Sequence, residues 1–410
     1  MNYLYNIIVF LASILLPIIA IFNKKIKLFV DGRKQTFSKI ASLKNQEIIW
    51  FHIASLGEFE QARPIIEELK SSLLEYKILV TFFSPSGYEI KKNYDLADVI
   101  CYLPIDSKSN AQQFIGNLQI KFVIFIKYEF WPNFLFELKR NQIPTLLVSG
   151  IFRENQLFFK SYGKFMRDAL QAFHHFFLQD ETSKKLLESI DFKNNTVVGD
   201  TRFDRVSKIF QQDNSLDFIS EFKNNQYIIV AGSTWKEDEE FLVNYINKKQ
   251  FSNEKFIIAP HNINKEAIAT LRKSIFKKTV LFSEKEGKNL ADFDVFIIDT
   301  VGILTKIYAA AEVAYVGGGL KTGLHNILEP ATFGIPVVIG NKFQKFKEAV
   351  DLVRLNGCIS ISNQSEFSTI FNKLKQDKNF RKVTGKINKI YIQEHLGATQ
   401  KIMNYLKTKV

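Results

Sequence analysis

The segment from residue 312 to residue 340, EVAYVGGGLKTGLHNILEPATFGIPVVIG, carries residue types suited to nucleotide binding. It predicts a strand at Val313–Val316, a glycine turn at Gly317–Gly319 and a helix that begins at His325–Asn326. Glycines at a strand end let backbone N–H groups approach an anion, and a helix N-terminus adds a positive dipole. Glu329, one turn into that helix, can accept both hydroxyls of a ribose. The alternative is a tight turn followed by a solvent-exposed carboxylate. A P-loop is excluded, because no Gly-Lys-Ser/Thr sequence follows.

A second candidate for chemistry is the carboxylate of Glu58, in the sequence HIASLGEF. Gly57 permits a sharp turn after a strand, and Ser55 can cap the helix that follows. Glu58 in the first helical turn can act as a general base toward an acceptor hydroxyl. The alternative is a carboxylate that only stabilises the helix dipole.

Other strand ends carry polar residues of the same kind. Each of them can also be an ordinary helix cap, since Ser, Thr, Asp and Asn dominate caps. We interpret Trp131-Pro132 as packing and helix initiation. The candidates for binding an anion, a sugar or a phosphate-bearing acceptor are Ser86, Gly87, Arg153 and Lys164, and those for a donor phosphate are Ser233 and Thr234. Glu129 and His261 follow two further strands.

The elements that position these loops alternate between apolar strands and helices from residue 47 onward, which predicts parallel sheets covered on both faces. A polar segment separates two such series, so we expect two doubly wound domains whose strand carboxyl ends share a cleft. The predicted strands are Ile48–Ile53, Ile78–Phe83, Val99–Leu103, Phe122–Ile126, Thr145–Val148 and Phe176–Leu178, then Tyr227–Ala231, Phe256–Ala259, Val295–Ile298, Val313–Val316 and Val337–Ile339. The predicted segments are an anchor at 1–23, a first domain at 24–205, a linker at 206–226, a second domain at 227–378 and terminal helices at 379–410 that pack back toward the first domain.

The composition fits a folded protein of 410 residues with 46% hydrophobic residues. Its two cysteines are far apart, so a disulfide framework and a zinc site are both disfavoured. The formal net charge of +13 suits nucleic acid, an anionic membrane or an acidic substrate. A nucleic-acid partner is disfavoured, because the sequence contains no recognisable binding module.

The N-terminus indicates a membrane. Residues 3–22 carry no charge, and a stretch of about 20 apolar residues can cross a bilayer. Lysines follow at once, whereas no Lys or Arg precedes the stretch, which predicts one membrane anchor with the bulk of the protein in the cytoplasm. A buried amphipathic docking helix is the alternative.

Taken in order, these stretches resemble the 3-deoxy-D-manno-octulosonic acid (Kdo) transferase family, which adds Kdo to the lipid A precursor. The resemblance covers nearly the whole chain. The matching stretches are HIASLGEFEQARP, SPSGYE, YLPID, YEFWPN, LVSGIFRE, VVGDTRFDR, AGSTWKEDEE, DTVGILTKIYAAAEVAYVGGGL and HNILEPATFGIPVVIG.

The resemblance implies a two-domain GT-B glycosyltransferase fold, CMP-Kdo as donor, a lipid A precursor as acceptor and membrane lipids as neighbours. It also implies an inverting transfer that needs no metal or other cofactor. Glu58 matches the family's catalytic carboxylate. One departure is Pro260-His261-Asn262, where the family commonly has an arginine in a PRH segment, so His261 is expected to replace that cation.

The residues expected to bind the donor are Ser233, Thr234, His261, Gly317, Gly318, Gly319, Lys321, Asn326 and Glu329, and those expected to bind the acceptor are Ser55, Gly57, Ser86, Gly87, Glu129, Arg153 and Lys164. Two other functions stay open. One is a lipid-directed GT-B transferase that uses a UDP-sugar, and the other is a non-catalytic, membrane-anchored nucleotide-binding module.

Overall fold

The strands run in the order that the apolar segments predict. A computed structural model describes residues 2–248 and 253–408. Its strands are β1 (Glu47–Ile53), β2 (Lys77–Phe82), β3 (Val99–Tyr102), β4 (Gln119–Ile126), β5 (Thr145–Gly150), β6 (His175–Leu178), β7 (Asn195–Val197), β8 (Tyr227–Thr234), β9 (Glu254–Pro260), β10 (Thr279–Leu281), β11 (Val295–Ile297), β12 (Val313–Val316), β13 (Val337–Gly340) and β14 (Cys358–Ile361).

Helices connect most of these strands. They are α1 (Asn2–Ala20), α2 (Lys24–Lys34), α3 (Thr36–Ile40), α4 (Leu56–Ser72), α5 (Pro85–Lys91), α6 (Lys108–Gly116), α7 (Pro132–Arg140), α8 (Lys164–Leu170), α9 (Glu181–Glu188), α10 (Thr201–Phe210), α11 (Asp217–Lys223), α12 (Lys236–Lys248), α13 (Lys265–Ser274), α14 (Leu304–Tyr308), α15 (Leu328–Ala331), α16 (Lys347–Arg354), α17 (Gln364–Gln376), α18 (Lys378–Glu394) and α19 (Ala398–Lys407).

The chain divides into two units, each built on one parallel sheet. Unit 1 comprises Met1–Arg205 and Leu396–Val410, and unit 2 comprises Val206–His395. The strand order is β3-β2-β1-β4-β5-β6-β7 in unit 1 and β10-β11-β9-β8-β12-β13-β14 in unit 2. In both sheets the order reverses beside the first strand, between β1 and β4 and between β8 and β12. Ligands of doubly wound folds bind at such a reversal, outside the carboxyl ends of the strands.

Each sheet is buried on both faces, which explains why its inner strands are continuously apolar. In β1, Ile48 and Trp50 join the core on one face, while Ile49 and Phe51 join the core on the other. Unit 2 repeats the pattern in β8, where Ile229 faces one core and neighbouring residues face the other.

Two segments, residues 206–226 and the helices after residue 378, differ from their predicted roles. Residues 206–226 contain the end of α10 and all of α11, and Ile219 and Phe222 are buried in the core of unit 2. This segment is therefore a folded part of unit 2. The helices after residue 378 divide between the units: α18 belongs to unit 2, whereas Ile402 and Met403 of α19 enter the core of unit 1.

The N-terminal apolar segment forms α1, which is long and apolar enough to cross a membrane by length and composition. Ala20 is its one buried residue within the described part of the chain. The helix continues through a short turn into α2, whose N-terminus is capped by the Asn23 side chain.

Candidate active site

In unit 1 the predicted acceptor and catalytic residues lie in the loops after β1, β2, β4 and β5. These four strands are neighbours in the sheet, and β1 and β4 flank the reversal of strand order. The topology therefore gathers most of the predicted residues at one edge of unit 1.

Glu58 is the third residue of α4 and is buried, with 4% of its surface exposed. Its carboxylate accepts the N–H of Ala54 at 2.6 Å, and the backbone of Ser55 donates a further bond. Burial raises the pKa of Glu58 to about 7, the negative charge of Glu129 adds to the rise, and the backbone bonds oppose it. A carboxyl group that titrates near neutral pH is suited to accept a proton in a reaction.

Glu129 belongs to a network that the sequence does not reveal. Trp131 Nε1 lies 3.0 Å from Glu129 Oε2 and 2.9 Å from His52 Nε2, and the other ring nitrogen of His52 lies 2.9 Å from Thr81 Oγ1. Burial lowers the pKa of His52, so the ring is neutral at pH 7. Nε2 then accepts from Trp131, and Nδ1 carries the proton.

Trp131 has a larger role than the packing that its sequence context indicates. Its ring stacks on Phe83 with centroids 4.4 Å apart, and its N–H orients Glu129. The helix initiation expected of Trp131-Pro132 is confirmed, because α7 begins at Pro132.

The loop after β2 approaches the turn after β1. Gly87 is buried, and a Cβ on it would lie 2.5 Å from the Phe82 ring and 3.0 Å from the Ser55 carbonyl carbon. Ser86 is exposed beside it, and its N–H is accepted by the Ser84 side chain. Gly57 has open space around its Cα. Ser55 and Gly87 are therefore neighbours, as a shared site requires.

Arg153 and Lys164 occupy different surroundings. Arg153 lies near Glu58, as the pKa of Tyr128 indicates. Burial raises the pKa of Tyr128, the charge of Glu58 raises it further, and the charge of Arg153 lowers it, so the three groups share one electrostatic environment. Lys164 begins α8, where its ammonium group is 3.1 Å from Asp168. Both basic side chains are exposed.

In unit 2, Ser233 and the glycine turn lie on either side of the reversal between β8 and β12. Ser233 has a left-handed backbone, with φ of 53°. The buried Thr234 donates its hydroxyl to Glu239 at 3.0 Å.

The glycine turn is packed closely against its surroundings. The N–H of Gly317 donates to the Gly232 carbonyl at 3.0 Å, and that of Gly318 donates to Asp238 Oδ2 at 2.9 Å. A Cβ on Gly319 would lie 2.9 Å from the Gly340 nitrogen. The first two N–H groups thus have protein acceptors, and close approach of the backbone accounts for the glycines.

Asp238, which the sequence analysis does not single out, organises this loop. It also accepts the Tyr315 hydroxyl at 2.6 Å and the Trp235 N–H at 2.9 Å. Burial raises the pKa of Asp238. The only signal in the sequence is an acidic run directly after the AGST loop.

The side chains of Glu329 and Asn326 lie in contact. The Asn326 amide donates to Glu329 Oε1 at 3.1 Å, and the Thr305 hydroxyl donates to Oε2 at 2.7 Å. The helix begins at Leu328 rather than at His325–Asn326, because the Asn326 side chain accepts the Leu328 N–H and forms the turn that precedes it. Glu329 is partly exposed, so its remaining lone pairs are open to a ligand.

His261 forms an aromatic stack with Trp235 and His325. Its ring centroid lies 4.7 Å from that of Trp235 and 4.3 Å from that of His325, and Trp235 Nε1 lies 2.9 Å from His325 Nε2. Burial lowers the pKa of His261, and burial with the nearby His261 lowers that of His325 to about 4. At pH 7 His261 therefore offers a ring face and one N–H rather than a positive charge. Lys321, the nearby cation, pairs with Glu237 at 2.7 Å.

Comparisons with known proteins identify the family and the fold of this chain. The sequence profile of the family described as 3-deoxy-D-manno-octulosonic-acid transferase (kdotransferase) matches residues 31–205. A 3-deoxy-D-manno-octulosonic acid transferase of Aquifex aeolicus is 30% identical, over 87% of this chain and 94% of that protein. A bifunctional glycosyltransferase/methyltransferase of Fusobacterium nucleatum is 26% identical, and the chain spans 57% of its length.

A solved structure shares the fold. The UDP-GlcNAc 2-epimerase from Neisseria meningitidis, bound to UDP-GlcNAc, matches with a TM-score of 0.60 and 15% identity, over 88% of this chain and all of that one. The two doubly wound units have the GT-B type of fold that the sequence predicts. The chain belongs to the 3-deoxy-D-manno-octulosonic acid (Kdo) transferase family of glycosyltransferases.

Proposed function

We propose that this protein transfers Kdo from CMP-Kdo to the lipid A precursor (lipid IVA), with inversion at the anomeric carbon and without a metal. The proposal depends on family membership and on one observation in this chain. The Glu58 carboxyl group is buried at the strand-order reversal of unit 1, and burial raises its pKa to about 7.

In the proposed reaction, Glu58 is the general base. The acceptor hydroxyl oxygen attacks the anomeric carbon of Kdo while its proton passes to the Glu58 carboxylate. The bond between that carbon and the phosphate oxygen breaks, and CMP leaves with the electron pair. Attack on the side opposite to the leaving group inverts the configuration. The charge of Glu129 raises the proton affinity of Glu58.

Donor binding is assigned to residues 227–378 in unit 2. Glu329, held by Asn326 and Thr305, accepts the ribose hydroxyls. Ser233 and Thr234 line the phosphate site together with the turn Gly317, Gly318 and Gly319. The turn shapes the site, whereas the N–H groups of Gly317 and Gly318 are bonded to the protein and do not bind the phosphate. His261 adds a neutral hydrogen-bond donor, and Lys321 adds a nearby positive charge.

Acceptor binding is assigned to residues 24–205 in unit 1. Ser55, Gly57, Ser86, Gly87 and Glu129 surround the reacting hydroxyl, and Arg153 and Lys164 attract the phosphates of the lipid. We place the reaction at the cytoplasmic side of the inner membrane. The apolar α1 and the lysines of α2 support this location.

The test is an assay of the purified full chain with lipid IVA and CMP-Kdo generated in situ, read by the mass added to the lipid. We expect a mass increase of one or more Kdo units. Turnover with UDP-sugars and none with CMP-Kdo would replace the proposal with a UDP-sugar transferase. Nucleotide binding without turnover, unchanged by Glu58→Ala, would identify a binding module.

A further inference from the structure

The beginning of α1 is attached to the folded body of unit 1. The Tyr5 hydroxyl donates to Asp106 Oδ2 at 2.5 Å, and the Asn133 amide donates to Asn6 Oδ1 at 3.1 Å. Asp106 is buried, and its carboxylate also accepts the backbone N–H groups of Asn133 and Phe134 at the start of α7. The Tyr5 ring lies 5.6 Å from the Phe165 ring of α8. Polar and aromatic contacts therefore hold this end of the helix.

One face of α1 is less exposed than the rest of the helix. Its less exposed residues recur at the three- and four-residue spacing of one helix face. They are Tyr5, Asn6, Val9, Ala12, Leu16 and Ala20. At its far end α1 passes into α2, where the buried Arg33 donates to the Phe83 carbonyl at 2.8 Å. Both ends of α1 are thus connected to the same folded unit.

These contacts conflict with a helix that spans a bilayer. A helix of this length extends about 28 Å, so a span places its two ends on opposite sides of a hydrocarbon core about 30 Å thick. Tyr5 and Asn6 would then lie far from Asp106 and Asn133. Because the folded body of unit 1 cannot enter the bilayer, a span requires both bonds to break.

We propose that α1 lies in the plane of the membrane, as an interfacial helix with both ends on the side of unit 1. The less exposed face turns toward unit 1, where Tyr5 and Asn6 make their contacts, and the wide apolar remainder enters the lipid. The residues that face the lipid are Leu4, Ile7, Ile8, Phe10, Leu11, Ile14, Leu15 and Ile18, all exposed in the structure.

The charge next to α1 identifies a lipid surface as the occupant of this apolar face. Lys24, Lys25 and Lys27 are exposed at the start of α2 and follow the apolar helix directly. An apolar helix beside a cluster of lysines matches acyl chains beside anionic headgroups. A second copy of the chain would also cover the apolar residues, so the experiments below distinguish it from a lipid surface.

The in-plane position has a consequence for the acceptor site. α1 begins beside the start of α7, and α7 follows Trp131 and Glu129 directly. A bilayer in contact with α1 is then adjacent to the edge of unit 1 that carries Glu58. The inference rests on the proposed function for its lipid acceptor, whereas the position of α1 is testable by itself.

The test is labelling by a membrane-impermeant thiol reagent of the full chain expressed in a Gram-negative host. Asn2→Cys reports the start of α1, and the matched control Asp31→Cys reports the exposed surface of α2. The native Cys101 and Cys358 are buried, so background labelling is low. An in-plane helix predicts that both variants react in inverted membrane vesicles and that neither reacts in intact spheroplasts. Reaction of Asn2→Cys in spheroplasts, with Asp31→Cys protected, would show a spanning helix and overturn the proposal.

A second measurement tests the lipid as occupant. The purified full chain is expected to float with vesicles of phosphatidylglycerol and phosphatidylethanolamine, and less so at high salt because the lysines are screened. A chain that forms a dimer and fails to float would show that a second copy covers α1. The labelling result does not depend on catalysis. If the Kdo assay fails while Asn2→Cys stays unlabelled in spheroplasts, the proposed function is wrong and the in-plane position of α1 stands.

Discussion

Opposing effects act on the carboxyl group of Glu58. Bonds from the backbone of Ala54 and Ser55 favour the ionised form, as they do for any carboxylate at a helix N-terminus. Burial and the charge of Glu129 favour the protonated form, and they prevail, since the pKa rises to about 7. A solvent-exposed carboxylate at a helix N-terminus has a lowered pKa, and burial reverses that direction at Glu58. Burial raises the pKa of Asp238 as well, so the proposed role of Glu58 depends on its position after β1 together with its pKa.

Glu58→Gln tests this role, because glutamine keeps the shape of the side chain but cannot accept the proton. General-base catalysis contributes about 10²- to 10⁴-fold, so we expect kcat to fall by about that factor while CMP-Kdo binding is retained. The matched control is Glu181→Gln, a first-turn carboxylate of α9 that is exposed. It is expected to leave kcat unchanged. Near wild-type kcat in Glu58→Gln would contradict the assignment.

The raised pKa of Glu58 predicts a pH dependence in both rate and stability. The base must be ionised, so kcat/KM should rise with pH and level off above about 7, and Glu58→Gln should lack this inflection. The folded protein binds this proton more tightly than the unfolded chain does. The stabilisation is therefore fully present below about pH 4.5 and is lost as the pH rises through about 7. The Tm of Glu58→Gln relative to wild type should accordingly be higher at pH 8 than at pH 4.5, and a constant difference would argue against the shift.

Glu329→Ala tests donor binding in unit 2. Loss of two hydrogen bonds to the ribose, each about 0.5–1.5 kcal/mol, should weaken CMP binding about 5- to 150-fold and leave lipid IVA binding unchanged. Calorimetric titration with CMP measures the first quantity. Glu312 is a matched control, because it also accepts two bonds, from Lys223 and Ile228, but precedes β12 at the opposite edge of the sheet. Normal CMP affinity in Glu329→Ala would place the ribose elsewhere.

At the scale of elements, the inner strands could be predicted and most of the edge strands could not. A strand with neighbours on both sides is covered on both faces and has a continuous apolar sequence. β7, β10 and β14, which the sequence analysis omits, each form the edge of a sheet and have three or four residues. Short, half-covered strands need few apolar residues, so their pattern is weak.

The candidate site also has a part that the sequence predicts and a part that it does not. The sequence predicts which loops lie at one edge of each sheet, because parallel topology alone places strand ends there. It does not reveal Asp238, whose importance depends on Tyr315 and Gly318, about 80 residues further along the chain. Nor does it show that His261 is neutral, because that follows from burial against Trp235 and His325.

Gly87→Ala tests the contact between the start of α5 and the turn after β1. The added methyl group would overlap the buried Phe82 ring and the backbone of Ser55, so we expect a loss of about 1–3 kcal/mol in stability and a lower kcat. Gly116→Ala, at the end of α6 in the same unit, is the control. It has open space around it and should leave both quantities nearly unchanged. Thermal unfolding and the Kdo transfer assay provide the measurements. Unchanged stability in Gly87→Ala would mean that the two loops are free to separate.

At the scale of the whole molecule, the N-terminal and C-terminal helices contribute to unit 1 in different ways. The C-terminal α19 is integral to its core, and Asp204 accepts the N–H groups of Gly397 and Thr399 where the chain returns from unit 2. The N-terminal α1 lies on the outside, with apolar side chains exposed. The core therefore depends on the C-terminal helix, whereas the N-terminal helix leaves most of its apolar side chains exposed.

Deletion of residues 1–23 separates these two roles. Asp106 keeps its bonds to Asn133 and Phe134 when Tyr5 is removed, so α7 retains its N-terminal cap. We expect a folded protein that transfers Kdo to detergent-dispersed acceptor but no longer floats with vesicles. A chain that ends at His395 is the control, and it should lose stability because Ile402 and Met403 leave the core. Circular dichroism and flotation measure the two properties. Unfolding of the N-terminal deletion would show that α1 is a core helix, and persistent flotation would show that another surface binds the membrane.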